Sequence, residues 1–377
     1  MSTSPAATPA LFQPLDLRGL HLANRIVVSP MCQYSATEGV ASDWHVAHLT
    51  SMASGGASLV LLEATGVELA GRISTGCLAL CDEATEAALA RVIETVGRLA
   101  PAPLGIQLSH AGRKASSCPP WQGGHLLKPG EGGWQTMAPS AVPHAADEPA
   151  PLALDAAGLA RIRQAFADSA RRAARIGLRA VELHMAHGYL LHQFLSPIAN
   201  RREDAYGGSL ENRMRYPLEI YEAVRAALPD DIPCGVRVSA TDWVEGGWTP
   251  EETVIFAREL RARGCDWIDC SSGGVSPTQK ITVGPGYQLP FARKVRAETG
   301  ATTMAVGMIT DPLEANRIVA EGEADLVALA RGMLYNPRWG WHAAAALGAQ
   351  VNAPRQYWRC QPAAHPNLFA GSSNRQR

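Results

Sequence analysis

Eight times along this chain a short apolar run is followed by a longer segment with apolar residues at helical spacing, and this alternation restricts the fold more than any other feature. The runs begin with RIVVSPM after Asn24, then SLVLLEATGV at 58–67, PLGIQLSH at 103–110 and AVELHMAH at 180–187. PCGVRVSA at 233–240, DWIDCSSG at 266–273, TTMAVG at 302–307 and DLVALA at 325–330 complete the set. Between and after them the spacing predicts helices over 44–52, 83–99, 155–176, 210–228, 250–263, a stretch ending at 299, 311–321 and 336–347. Runs of this kind read as parallel strands buried on both faces, and parallel strands need crossover helices. Eight such units close a sheet on itself. The predicted fold is therefore α/β, a (β/α)8 TIM barrel in a single domain over residues 11–350. A doubly wound sheet would carry a GxGxxG fingerprint in its first βα turn, where this chain has SPMCQY.

Composition removes several function classes. The chain has 377 residues, 46% of them hydrophobic, enough for a large core, and a formal net charge of -1. Without a run of like charges it lacks the footprint of a nucleic-acid binder or a polybasic membrane patch. No apolar run reaches membrane-spanning length, and MSTSPAATPALFQPL lacks the basic and apolar regions of a secretion signal, so a cytoplasmic location is expected. Eight cysteines at irregular spacing, without CxxC pairs, point to neither a disulfide framework nor a zinc ribbon, and no metal is expected. Residues 1–10, rich in Ser, Thr, Ala and Pro, are predicted to fray, and the tail from 361 to 377 reads as unstructured. The long irregular segment Ala111–Pro151 is expected to form a folded lid or hairpin, with Trp121 and Trp134 packing it.

In a barrel of this type the loops after the strands make the active face, so residues at strand ends converge on one mouth. The set comprises Cys32 and Tyr34, Glu63 and Ala64, Gln107 and His110, His184 and His187, Arg237, Ser271 and Ser272, Gly307, and Arg331 with Gly332. Arg237 stands inside the apolar run CGVRVS, where an unpaired charge is costly, and so requires an anion or an electron-rich acceptor. Gly307 after the seventh strand and Arg331-Gly332 after the eighth fit the usual phosphate pocket of barrels. The densest stretch is 180–212, AVELHMAHGYLLHQFLSPIANRREDAYGGSLEN. It runs from a strand into the polar cluster His184, His187, Gly188 and Tyr189, then into a turn at Asp204–Gly208 and a helix capped by Ser209. For His110 and Lys114 a solvated loop position is left open, and neither is assigned a role.

SPMCQYSA, QLSHAGRKA at 107–115, the long motif at 182–213, VRVSATDW at 236–243 and ALARGML at 328–334 together resemble the Old Yellow Enzyme family of FMN-dependent ene-reductases. The motifs fall in the family's order over roughly residues 10–360. Cys32 with Tyr34 resembles its thermophilic-like bacterial class. The resemblance implies FMN as cofactor, NADPH or NADH as reductant, and reduction of the C=C bond of α,β-unsaturated carbonyl or nitro compounds. It implies that His184 and His187 hold the substrate oxygen and that Tyr189 donates the proton. It assigns FMN contacts to Ser29, Pro30, Met31, Cys32, Ala64, Gln107, Arg237, Gly307, Arg331 and Gly332, and substrate contacts to Cys32 and Tyr34. It also implies a homodimer or homotetramer in which Arg359, in the C-terminal segment 351–377, reaches the neighbouring subunit's site.

Two other readings bear on the same residues. His184 and His187 would serve a metal-dependent barrel hydrolase, but that chemistry needs carboxylate or histidine ligands at strands one and eight, where SPM and ALARG supply none. An FMN-binding barrel with a different redox substrate, or with none, remains the alternative.

Overall fold

The computed structural model describes residues 7–372. Strands β1 (Leu15–Leu17) and β2 (Leu20–Leu22) form an antiparallel hairpin. The barrel then begins with β3 (Ile26–Val28), β4 (Leu59–Gly66) and β5 (Leu104–Ser109). β6 (Met137–Ala138) and β7 (Leu152–Ala153) lie outside it, and β8 (Ala180–Met185), β9 (Cys234–Ser239), β10 (Ile268–Ser271), β11 (Thr303–Val306) and β12 (Leu326–Leu329) finish it. The barrel strands pair in parallel in chain order, and β12 returns to β3. The predicted (β/α)8 architecture is the observed one.

Helices α1 (Asp43–Ala53), α2 (Glu83–Leu99), α3 (Ala156–Arg175), α5 (Leu210–Ala227), α6 (Pro250–Ala262), α7 (Leu289–Thr299), α8 (Pro312–Ala320) and α10 (Trp339–Leu347) form the outer layer. Two short helices, α4 (Leu190–Leu195) and α9 (Arg331–Tyr335), are inserted after β8 and β12 at the mouth. Local chemistry accounts for the long ones. In α2, Asp82 accepts from the Thr85 amide while Thr85 bonds back, and Ala88, Leu89, Val92, Ile93 and Val96 bury one face. Thr249 and Glu252 make the same reciprocal cap on α6, with Pro250 in its first turn. Ser209 caps α5 as the sequence predicts.

Every residue of the eight barrel strands is buried. Leu17, Leu20 and Leu22 of the hairpin pack with Leu59, Leu61, Trp267, Met304 and Leu326, whereas most helix-facing residues join a second, larger apolar cluster. The hairpin had no sequence signal: its strands are three residues each, too short for a period to register.

The segment 111–151 is folded, as expected of a lid or hairpin: it runs through three 3-10 turns, Ser117 bridges antiparallel to Leu126, and β6 pairs in parallel with β7. Two expectations need correction. The tail is not loose over its described part, because Phe369 bridges to Val351 and packs edge-on to Trp341, with Leu368 and Phe369 both buried. Two apolar residues in a polar stretch anchored it. Near the other end, the carbonyl of Pro9 accepts from the Phe12 amide and Asn316 accepts from the Leu11 amide, so the chain is already tied down there. Residues 1–6 and 373–377, where fraying and disorder were expected, lie outside the described residues. Among the described residues no helix is long and apolar enough to cross a membrane.

Candidate active site

His184, the penultimate residue of β8, and His187, just beyond the strand, face each other with ring centroids 5.0 Å apart. His184 Nδ1 accepts from the Ala186 amide at 3.2 Å, which leaves the proton on Nε2. That nitrogen lies 3.3 Å from His187 Nδ1, so the bonding pattern assigns His187 the same tautomer, with its Nε2–H directed at Ser271 Oγ, 2.6 Å away. Burial, the Arg237 charge and the Lys114 ammonium hold both imidazoles well below the usual histidine range. They are neutral donors. Tyr189 packs edge-on against His184 at 4.9 Å, and burial pushes its phenol well above the usual value, keeping its proton in place.

The backbone here is unusual. His187 has φ of 58° and Gly188 of 74°. A Cβ on Gly188 would lie 2.1 Å from the Gly274 carbonyl, so only glycine lets the β8 and β10 loops meet. Lys114 joins those same loops by donating to the carbonyls of His187 (2.8 Å) and Gly274 (2.9 Å). Lys114 is therefore not a solvated loop residue. Burial, with Arg113 beside it, brings its pKa down to about 8. His110 is likewise buried and pairs with Glu68 at 3.1 Å. A third support was invisible in sequence: Gly188 donates to His192 Nδ1, whose Nε2 lies 2.9 Å from the buried Asp242. Asp242 in turn accepts from Ser196 and from the Trp248 amide.

Arg237 finds the anion its apolar strand requires within the protein, since Nε is 3.3 Å from Asp269 Oδ2, one strand over. Its Nη1 faces Ser29 Oγ at 3.4 Å. Gln107 Nε2 donates to Glu182 Oε1 at 2.8 Å and Trp267 Nε1 to Oε2 at 2.9 Å. Burial and the Asp269 carboxylate push Glu182 up to about 8.

A cavity of about 500 Å³ opens beside these groups, lined by His187, Arg237, Ser271, Gly307, Arg331 and Gly332 among others. Gly307 has φ of 125°, and a Cβ there would press on Gln288 and Tyr287. Arg331 is exposed at its rim, and its guanidinium makes no ion pair or hydrogen bond among the described residues. The glycines and the free guanidinium are what an anionic group entering between β11 and β12 would need.

Across the mouth, Ala64 is buried in β4, while Pro30, Met31, Cys32 and Tyr34 follow β3 and are half-buried. Tyr34 meets the exposed ring of Trp121 edge-on at 5.4 Å. Trp121 thus stands exposed at the mouth, not packed as expected; Trp134 does pack, donating to the Ala70 carbonyl. Arg359 is apart from the rest. It is exposed on the 3-10 helix Arg355–Cys360 and does not line the cavity of its own chain.

A closed parallel barrel with polar groups gathered at its strand ends, and a cavity bearing an unpaired arginine over its last two strands, is the architecture of (β/α)8 enzymes. Residues 10–350 match the sequence profile of the NADH:flavin oxidoreductase / NADH oxidase family. The chain is 43% identical over 351 residues to an NADPH dehydrogenase of Geobacillus thermodenitrificans, covering 93% of this chain and 98% of that one. It is 39% identical to an NADH:flavin oxidoreductase of Gibberella zeae, over 94% and 90% of the two chains. Among solved structures, morphinone reductase in complex with tetrahydroNAD superposes with a TM-score of 0.73 at 26% identity, covering 97% of this chain and 95% of the other. A 2-naphthoyl-CoA reductase superposes with a TM-score of 0.79 at 25% identity, and the chain spans 52% of its length. The protein belongs to the NADH:flavin oxidoreductase family, that of the Old Yellow Enzymes. It is a flavin oxidoreductase of the NADPH dehydrogenase type.

Proposed function

We propose that the protein uses FMN to reduce the activated C=C bond of α,β-unsaturated carbonyl compounds, and of nitroalkenes, at the expense of NADPH or NADH. The observation that carries this reading is the pair of neutral imidazoles with Tyr189 beside them. When bound, FMN supplies a two-electron carrier that accepts hydride from the nicotinamide and returns it to an electron-poor alkene.

The residues fit such a group. Gly307 and Gly332 leave room for a phosphate, and Arg331 has its charge free to meet it. Arg237 and Ser29 would face the ring's polar edge, with Pro30, Met31, Cys32 and Ala64 along its length. Gln107, held through its Nε2 by Glu182, keeps Oε1 available to accept from a ring N–H.

His184 and His187 would donate to the carbonyl or nitro oxygen, exchanging their present bonds to each other and to Ser271 for bonds to the ligand. Two fixed donors on an oxygen that gains charge are worth more than the same donors in water, because the site is pre-arranged and largely dry. Tyr189 would deliver the proton to the α-carbon, a step that contributes on the order of 10²–10⁴-fold. Cys32 and Tyr34 bound the substrate side. Arg359, exposed and unpaired in its own chain, would complete the site of a neighbouring copy in a homodimer or homotetramer.

An anaerobic visible spectrum tests the reading. A flavin band that bleaches on adding NADPH and returns with cyclohexenone, together with FMN as the released chromophore, is expected. Bleaching without recovery on any enone or nitroalkene would refute the substrate class while leaving the flavin oxidoreductase intact.

A further inference from the structure

Beside Tyr34, three groups from separate segments converge. Cys32 follows β3, Glu63 lies on β4 and Cys77 is in the loop after β4, and their sulfur and oxygen atoms all lie within 4.8 Å of one another. Tetrahedral zinc, with Zn–S of about 2.3 Å and Zn–O of about 2.0–2.2 Å, sets neighbouring ligand atoms roughly 3.5–3.8 Å apart. Small side-chain rotations span the difference.

Glu63 supplies the independent evidence. Pairing between β4 and β5 runs from Leu62↔Ile106 directly to Ala64↔Gln107, so Glu63 is the extra residue of a β-bulge. Bulges re-aim a side chain, and here the side chain is a carboxylate only 4% exposed. Neither of its oxygens has a hydrogen bond of good geometry; His45 Nε2 at 3.3 Å and the backbone of Gln33 and Leu78 favour its charge, yet burial still pushes its pKa up. A buried carboxylate with only long contacts to its partners remains costly, and a cation at its free side would offset that cost. Both cysteines are free; Cys77 Sγ lies 3.2 Å from Ser74 Oγ, and the two neighbouring sulfurs push the Cys32 thiol up and the Cys77 thiol down.

We propose that Cys32, Glu63 and Cys77 form a site for a thiophilic divalent cation of the zinc class, with a coordination position left open. Two thiolates and one carboxylate favour zinc and cadmium over magnesium or calcium, which prefer all-oxygen shells. Binding releases the proton of each ligand to solvent and leaves a singly negative complex where three acids stood. Because Cys32 is shared with the proposed substrate side, the cation would also block turnover. That consequence rests on the flavin reading; cation binding itself does not.

The test uses the purified full chain carrying Cys360→Ser, which removes an exposed thiol. Titration with cadmium under anaerobic, reducing conditions should produce an ultraviolet sulfur-to-metal charge-transfer band that saturates at one equivalent. Cys77→Ser and, separately, Glu63→Gln should each weaken it by at least roughly 10–100-fold, the scale already seen when only a partner behind a metal ligand is lost. Zinc should also protect Cys32 and Cys77 from a thiol reagent in the folded protein. An absent band, or equal affinity in both variants and the parent, would overturn the proposal. The two substitutions lie on different segments, so misfolding of one still leaves the other to decide.

Discussion

Replacing Lys114 by Met separates a buried charge from the packing around it. The Lys114 ammonium lies in a site that brings its pKa from 10.5 down to about 8. At about 1.36 kcal/mol per unit, the fold bears roughly 3 kcal/mol for keeping it charged at pH 7, its two carbonyl bonds included. Met occupies similar volume without that penalty but orphans the His187 and Gly274 carbonyls, at about 1–3 kcal/mol each. The opposing terms nearly cancel, so Lys114→Met should change stability at pH 7 by less than about 2–3 kcal/mol. The pH dependence is the sharper readout. Between pH 8 and 10.5 the unfolded chain holds the Lys114 proton more tightly than the folded one, so this residue's contribution to stability rises with pH across that window. From pH 7 to 10, wild type should gain about 2.5 kcal/mol relative to Lys114→Met in denaturant unfolding. Comparing the two proteins cancels the other titrating groups. Parallel curves over that range would refute an enclosed ammonium. Phenol binding at the mouth should weaken in the variant, because the loop bearing His187 loses its tie to the Gly274 loop.

Tyr189→Phe should leave flavin reduction by NADPH largely intact and slow enone reduction by about 10²-fold or more in stopped-flow half-reactions; equal loss in both would count against a proton donor. His187→Ala should weaken titrations with substituted phenols, and wild-type phenol affinity should show no histidine titration between pH 5.5 and 7, since both imidazoles stay neutral there. Glu182 is raised from 4.5 to about 8, so its folded form keeps a proton that the unfolded chain releases, and wild-type stability should fall relative to Glu182→Gln as pH rises through that window. A flat difference between those two unfolding series would place an ionised carboxylate behind Gln107.

The barrel was legible because a parallel strand covered on both faces leaves a local record, an apolar run bounded by polar residues, and eight such records suffice to close it. Strand-end position was enough to bring His184, His187, Arg237, Gly307 and Arg331 to one mouth. What supports them was not legible. Lys114 reaches carbonyls 73 and 160 residues away, and His192 finds Asp242 across 50 residues; no spacing rule encodes such pairs. Composition misjudged the tail for a related reason: Leu368 and Phe369 are diluted among polar neighbours, yet two buried side chains tie it to α10. Trp121 was placed in a packed loop because tryptophan usually packs, whereas its ring stands exposed against Tyr34.

Arg237 shows how far a single-residue argument reaches. A cation inside CGVRVS demanded an anion, and one is present, but it is Asp269 on the adjacent strand and not a ligand. Charge at the pocket floor then depends on Glu182, which shares the same surroundings. Burial pushes Asp269 up as well, while Arg237 beside it favours its charge; with that charge in place and Glu182 holding its proton, the three groups sum to zero, and among the described residues Ser29 is the contact on the outer edge of Arg237. Were Glu182 ionised too, the floor would carry a net negative charge and repel the electron-rich ring edge proposed to rest there. The raised Glu182 is therefore as much a part of the proposed flavin site as the arginine in front of it, although it would touch the cofactor only through Gln107.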